Sequence, residues 1–128
     1  MLIDTHLLLW AAEDSPKLPA LARRLIAGPE NELIFSAVSI WEIAIKHAKG
    51  TARFDAAPQL VREVLLESGY SELAISGKHA IAVGYLASID KDPFDRLLIA
   101  QAMVEGITLL TSDAVVTRYP GPIRKVYK

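Results

Sequence analysis

Three short apolar stretches, Met1 to Ile3, Glu32 to Phe35 and Thr108 to Leu110, are separated by long segments with helical spacing. That alternation admits few folds, and the one it favours is α/β, a parallel sheet wrapped by helices. Weaker strand signals lie at Glu72 to Ile75 and Ile123 to Tyr127. Helices are expected over Thr5 to Glu13, Pro19 to Ala27, Val38 to Lys49, Pro58 to Glu67, Gly77 to Leu86 and Phe94 to Glu105, with a short piece after Asp113. Proline and glycine punctuate these elements, as at Ser15-Pro16, Gly28-Pro29 and Pro120-Gly121-Pro122, and there is no internal repeat or low-complexity tract. With 128 residues, 52% of them hydrophobic, the chain suits a single domain over 1–128 with a real core.

Composition narrows the chemistry. The absence of cysteine excludes disulfides and thiolate zinc sites, so any metal here is held by oxygen or imidazole. No apolar run approaches the ~20 residues that span a bilayer, and no basic segment precedes an apolar one at the start, so the chain reads as soluble and cytoplasmic, without a membrane partner. Fourteen basic residues against fifteen acidic ones give a net charge of −1, which does not advertise a nucleic-acid binder. The segment after Asp113 is nevertheless free of acids and carries Arg118, Arg124, Lys125 and Lys128, which suits either a solvated tail or a phosphate-contacting surface.

Two helices show their faces in the sequence. From Val38 to Lys49, Ile40, Ile43 and Ala44 form one side and Trp41, Ile45 and Ala48 the next, with a polar stripe of Ser39, Glu42, Lys46 and Lys49 between them. From Leu97 onward the segment to Val104 is apolar nearly all round except at Gln101, as expected of a helix buried against the sheet. Trp10 and Trp41 fall on apolar faces and read as core residues rather than base-stacking platforms.

Acids recur where strands end and helices begin. Asp4 closes the first strand, Asp113 follows the Thr108 to Leu110 strand, and Asp95 heads the row Leu98, Ile99, Ala102 of the buried helix. In a parallel sheet these places gather on one edge, where such folds bind ligands. Taken singly, Asp4 and Asp113 are explained as helix caps, and Asp92, ahead of Pro93, fits a cap better than Asp95 does. Glu42, four residues before Lys46, is explained alone by a surface ion pair of ~0.2 to 0.5 kcal/mol. Capping does not explain convergence, since clustered carboxylates in a partly desolvated cleft are costly unless a cation neutralises them. Oxygen-only ligation of that kind suits Mg²⁺ or Mn²⁺. Thr5, Thr111 and Ser112 flank the acids, and Arg96 and Lys46 are candidate phosphate contacts or charge partners. His6, His47 and His79 have no metal-ligand spacing, and no catalytic serine triad or phosphate-cradling glycine loop is present.

In order, Leu2-Ile3-Asp4-Thr5-His6, Ser39-Ile40-Trp41-Glu42-Ile43, Asp92-Pro93-Phe94-Asp95-Arg96 and Thr111-Ser112-Asp113 resemble the VapC group of the PIN-domain family, over Met1 to about Pro120. The resemblance implies a three-layer α/β/α fold around a parallel sheet, with Asp4, Glu42, Asp95 and Asp113 matching the family's acidic quartet. It implies a Mg²⁺- or Mn²⁺-dependent endoribonuclease that hydrolyses RNA with a metal-activated water. It also implies a small VapB-like antitoxin partner and a homodimer.

Two rival readings stay open. One keeps the metal chemistry but acts on DNA flaps or a phosphate monoester. A haloacid-type phosphatase would want an acid at position 6, where His6 stands. The other is a non-catalytic interaction domain that uses the acids as caps, and Glu42, which no cap argument explains, separates it from the nuclease reading.

Overall fold

The structure, a computed structural model, describes residues 1–50 and 57–126. Five strands, β1 (Leu2–Ile3), β2 (Ile34–Ser36), β3 (Ser71–Leu73), β4 (Leu109–Thr111) and β5 (Ile123–Lys125), form one sheet in the order β3-β2-β1-β4-β5. Every pairing is parallel, with Leu2 beside both Ile34 and Leu109. The α-helices are α1 (Thr5–Ala12), α2 (Ala20–Ala27), α3 (Ala37–Ala48), α4 (Pro58–Glu67), α5 (Gly77–Val83) and α6 (Pro93–Glu105), and a 3₁₀ turn covers Val116–Arg118.

The period of two in the strands divides the core. Ile3, Phe35 and Leu110 point into one apolar cluster with Leu7, Leu8, Ile43, Val61 and Leu65, and Leu2 and Leu109 point into a second with Leu98, Ile99 and Ala102. With helices covering both faces, the architecture is the three-layer α/β/α arrangement around a parallel sheet. The chain starts at the middle strand, builds outward to β3, then crosses to the other side of β1 for β4 and β5. The gap between β1 and β4 is therefore the topological switch point, where open parallel sheets receive ligands at their carboxyl edge.

Most expected elements stand within a few residues of their predicted bounds. The fifth helix stops at Val83 rather than Leu86, and Tyr127, expected in the last strand, lies outside the described residues. Two assignments are corrected. Trp41 is not a core residue, being 50% exposed, and α6 is buried only as far as Ala102, with Met103 and Val104 exposed. A three-residue β2 leads at once into α3, so the amino-terminal turns of that helix lie at the sheet edge, where an outward indole meets solvent. Among the described residues no helix is long and apolar enough to cross a membrane.

Gln101, the polar exception in α6, is fully buried and anchors a hydrogen-bonded network. Its Oε1 accepts from Ser36 Oγ (2.5 Å), its Nε2 donates to the Ala74 carbonyl (3.4 Å), and it lies 3.3 Å from His79 Nδ1. Nδ1 of buried His79 accepts from Ser76 N–H at the start of α5, and Nε2 meets Glu105 Oε2 at 2.9 Å. One amide thus joins β2, α5 and α6. Replacing it by an apolar side chain strands a buried hydroxyl and a carbonyl, each worth about 1–3 kcal/mol when unsatisfied. Gln101→Leu is therefore expected to lower stability by at least about 1 kcal/mol, read as a reduced urea midpoint with an unchanged slope. An unaltered midpoint would show that the network is not what holds α6 to β2.

Candidate active site at the sheet switch point

Asp4 follows β1 and is 7% exposed. It caps α1 by accepting from Leu7 N–H at 3.0 Å, and its other oxygen accepts from Thr111 Oγ1 at 2.5 Å. Thr111 ends β4 and accepts in turn from Asp113 N–H at 3.0 Å, so one hydroxyl bridges the two strand-end acids across the switch point. Asp113 is exposed, and its Oδ1 accepts from Val115 N–H at 2.8 Å. The cap explanation is thus correct for Asp4, whereas Asp113 holds the turn ahead of the 3₁₀ segment instead of capping it, and its charge reaches Asp4.

Asp95 sits in the first turn of α6 and is half-buried. Asp92 is the cap, accepting from the N–H groups of Phe94 and Asp95, as the Asp92-Pro93 pair predicts. Burial pushes the Asp95 carboxyl up to about 9, with further upward pressure from Asp90, Asp92 and Asp113. Burial also raises Asp4, and Asp113 adds to it, while Leu7 N–H, the Thr111 hydroxyl and His6 pull the other way. Asp113 therefore adds its charge to both Asp4 and Asp95, so carboxylates from three separate elements meet through it.

Glu42 is only 3% exposed, on the second turn of α3, and Lys46 binds its Oε2 at 2.7 Å. The expected ion pair is present, but submerged rather than on the surface. A hydrogen bond from Thr5 Oγ1 to Ser39 Oγ (2.9 Å), one turn before Glu42, ties α3 to the residue after Asp4. No contact joins the Glu42 carboxylate itself to the other three acids among the described residues.

Two roles were not legible in the sequence. Arg96 forms no ion pair among the described residues. Its guanidinium donates to the carbonyls of Val83 (3.1 Å) and Ala87 (2.9 Å) and to Tyr119 OH (3.0 Å), clamping the connection between α5 and α6. That connection carries Asp90, whose Oδ1 accepts from Asp92 N–H and whose Oδ2 is buried without a hydrogen-bond partner. Asp90 lies beside Asp95 and raises it. The signal was there in Asp90-Lys91-Asp92-Pro93-Phe94-Asp95, three acids in six residues, but a loop residue has no periodicity to betray its direction.

Among the described residues no three carboxylate or imidazole side chains are grouped closely enough to hold a metal ion as they stand. The donor set still suits a hard divalent cation. It is all oxygen, and Asp113 raises both Asp4 and Asp95 in a way that a cation would relieve. Of the basic residues after Asp113, Arg118 and Arg124 are exposed, and Lys125 pairs in register with Thr111 beside the site.

The sequence profile of the PIN domain matches residues 1–122. The chain belongs to the PIN-domain family. No curated protein matches it in sequence. Among solved structures, the PIN fold seen here is similar to VapBC2 from Rickettsia felis bound to a promoter DNA fragment. That likeness has a TM-score of 0.73 at 17% identity and covers 98% of this chain and 97% of the other. It is also similar to DNA-bound VapBC from Salmonella typhimurium, with a TM-score of 0.67 at 18% identity over 97% and 96% of the two chains.

The raised Asp95 carboxyl fixes the sign of a pH dependence. Unfolded, an aspartate ionises near ~3.9, so between there and about 9 the folded chain holds a proton the unfolded chain has lost. This contribution to stability is complete below about pH 4 and disappears as pH rises toward about 9. In chelator, melting temperature is expected to fall across that window. Asp95→Asn should flatten the fall and gain at least about 1 kcal/mol at pH 8, one pKa unit's worth, well short of the full shift because part of the carboxyl is solvated. A parent profile flat from pH 4 to 9 would mean that Asp95 ionises without penalty.

Proposed function

We propose that the chain is a Mg²⁺- or Mn²⁺-dependent endoribonuclease of VapC type, the toxin of a toxin-antitoxin pair, with Asp4, Glu42, Asp95 and Asp113 as its acidic quartet. The observation that carries this reading is the convergence of Asp4, Asp95 and Asp113 on the carboxyl edge at the switch point, with Asp113 raising both of the others. Membership of the PIN-domain family and the order of the four acidic motifs support RNA as the substrate. The likeness to two VapBC complexes supports a VapB-like antitoxin partner. A homodimer working in the cytoplasm completes the proposal.

Asp4, Asp95 and Asp113 would hold the cation, and Glu42, paired with Lys46, borders them on α3. A divalent ion bound there supplies a water of lowered pKa and stabilises charge on the phosphodiester. The chain's own residues do the rest. Thr111 fixes the orientation of Asp4, leaving its other oxygen on the Leu7 N–H. Asp92 caps α6, so that Asp95 is free for the cleft. Asp95, raised by burial, would have to lose a proton to hold a cation, so cation affinity is expected to rise with pH. Hydrolysis then adds water across a P–O bond, the new bond forming opposite the leaving oxygen, which takes a proton.

Asp4→Asn and Asp95→Asn are expected to keep the fold by circular dichroism and to cut Mn²⁺-dependent RNA cleavage by at least about a hundredfold, the loss of several kcal/mol that such a cation contributes. Paramagnetic broadening of backbone NMR signals by Mn²⁺ should focus around the four acids and vanish in Asp95→Asn. Folded variants that cleave like the parent would sink the assignment of the site. Faster turnover of single-stranded DNA or a phosphate monoester would sink the assignment of the substrate.

A further inference from the structure

Trp41 precedes Glu42 in α3 and Phe94 precedes Asp95 in α6, and their rings meet edge to face, with centroids 4.9 Å apart and planes at 73°. Phe94 is partly buried against the second core cluster, whereas Trp41 is 50% exposed. Both helices begin at the carboxyl edge of the parallel sheet, so the two rings stand on the edge that carries the acids.

Such a ring is unusual on two counts. Half of a large apolar side chain is left in water although α3 otherwise packs against both core clusters, and its edge contact with an anchored phenylalanine restricts its motion. Among the described residues it is also the one large apolar side chain that α3 leaves exposed. A stable protein interface needs roughly 800 Å² from each partner, whereas a single held indole matches the face of one nucleobase.

We propose that Trp41, braced by Phe94, is a stacking platform for an unpaired base of single-stranded RNA next to the scissile phosphodiester. This rests on the nuclease reading given above. A base is free to stack on an indole only when it is unpaired, so the substrate class is single-stranded RNA or an RNA loop. Stacking is tolerant of base identity, which makes Trp41 a positioning contact for the strand and assigns sequence choice to other groups. Because no counterion is released, its contribution is insensitive to salt, unlike that of phosphate contacts.

The test uses the full chain carrying Asp95→Asn, to prevent cleavage, and Trp10→Phe, to leave Trp41 as the sole tryptophan. A single-stranded 12-nucleotide oligouridylate and an abasic strand of equal length are titrated. Quenching of Trp41 emission by the first and not the second is expected. Trp41→Leu should weaken binding of oligouridylate about five- to a hundredfold, by the same factor at low and high salt, with Trp41→Phe retaining part of it. In the Asp95 background, Trp41→Leu should raise KM more than it lowers kcat.

Equal quenching by both strands, or unchanged RNA affinity in a folded Trp41→Leu, overturns the platform while leaving the nuclease reading intact if the parent still cleaves RNA. Weaker binding that tracks a change in oligomeric state on size exclusion overturns it in favour of a second copy seated on Trp41. A parent that neither binds nor cleaves RNA overturns both.

Discussion

The hydrogen bond from Thr111 to Asp4 is the contact on which the candidate site depends. It crosses the seam between β1 and β4, where the order of the sheet reverses, and it fixes a nearly buried carboxylate at the end of the central strand. A carboxylate at 7% exposure is expensive unless its oxygens are occupied. Here one oxygen takes the amide of the first helical turn and the other takes the threonine hydroxyl. Because the same threonine receives the amide of Asp113, the conformation of one strand-end loop is set by the carboxylate of another.

Around that bond the molecule separates two tasks that a row of acids might confuse. Asp92 spends its carboxylate on the helix end, whereas the Asp95 carboxyl lies against Asp90. Arg96, next in sequence, turns away to gather the carbonyls that end α5. The loop thus clamped brings Asp90 against Asp95, concentrating negative charge where solvent is scarce. Structure supplies the rigidity, and the unrelieved repulsion is what suits the place to a cation.

Much of this was legible in the sequence because it rests on local chemistry. Alternating apolar runs and helical segments give the layered parallel sheet, and the Asp92-Pro93 pair gives the cap of α6. Asp4, Asp95 and Asp113 could be placed on one edge because strand ends in a parallel sheet share a side. What escaped notice depends on side-chain direction across the fold. Whether Arg96 reaches solvent or carbonyls is decided by a loop ten residues earlier. Trp41 lay on an apolar helix face by spacing alone, yet that face runs off the edge of the sheet. Glu42 was expected either as a surface pair or as a member of the cleft, and its carboxylate is buried against Lys46. Gln101 broke an apolar pattern without explanation until Ser36, Ala74 and His79, from three distant segments, were found around it.

The order of the strands has a consequence for how the molecule comes into being. Asp4 and Thr111 are 107 residues apart, so the central strand is made well before its neighbour β4. A growing chain therefore carries β1 with one side unpaired until the segment from 109 to 113 has been made. Contacts of such long sequence separation form late, after the loss of chain freedom they require. The acids cannot be assembled in an unfinished chain or in an amino-terminal fragment. The timing of synthesis itself thus acts as a safeguard, keeping the cleft incomplete until the segment that carries Thr111 and Asp113 is present.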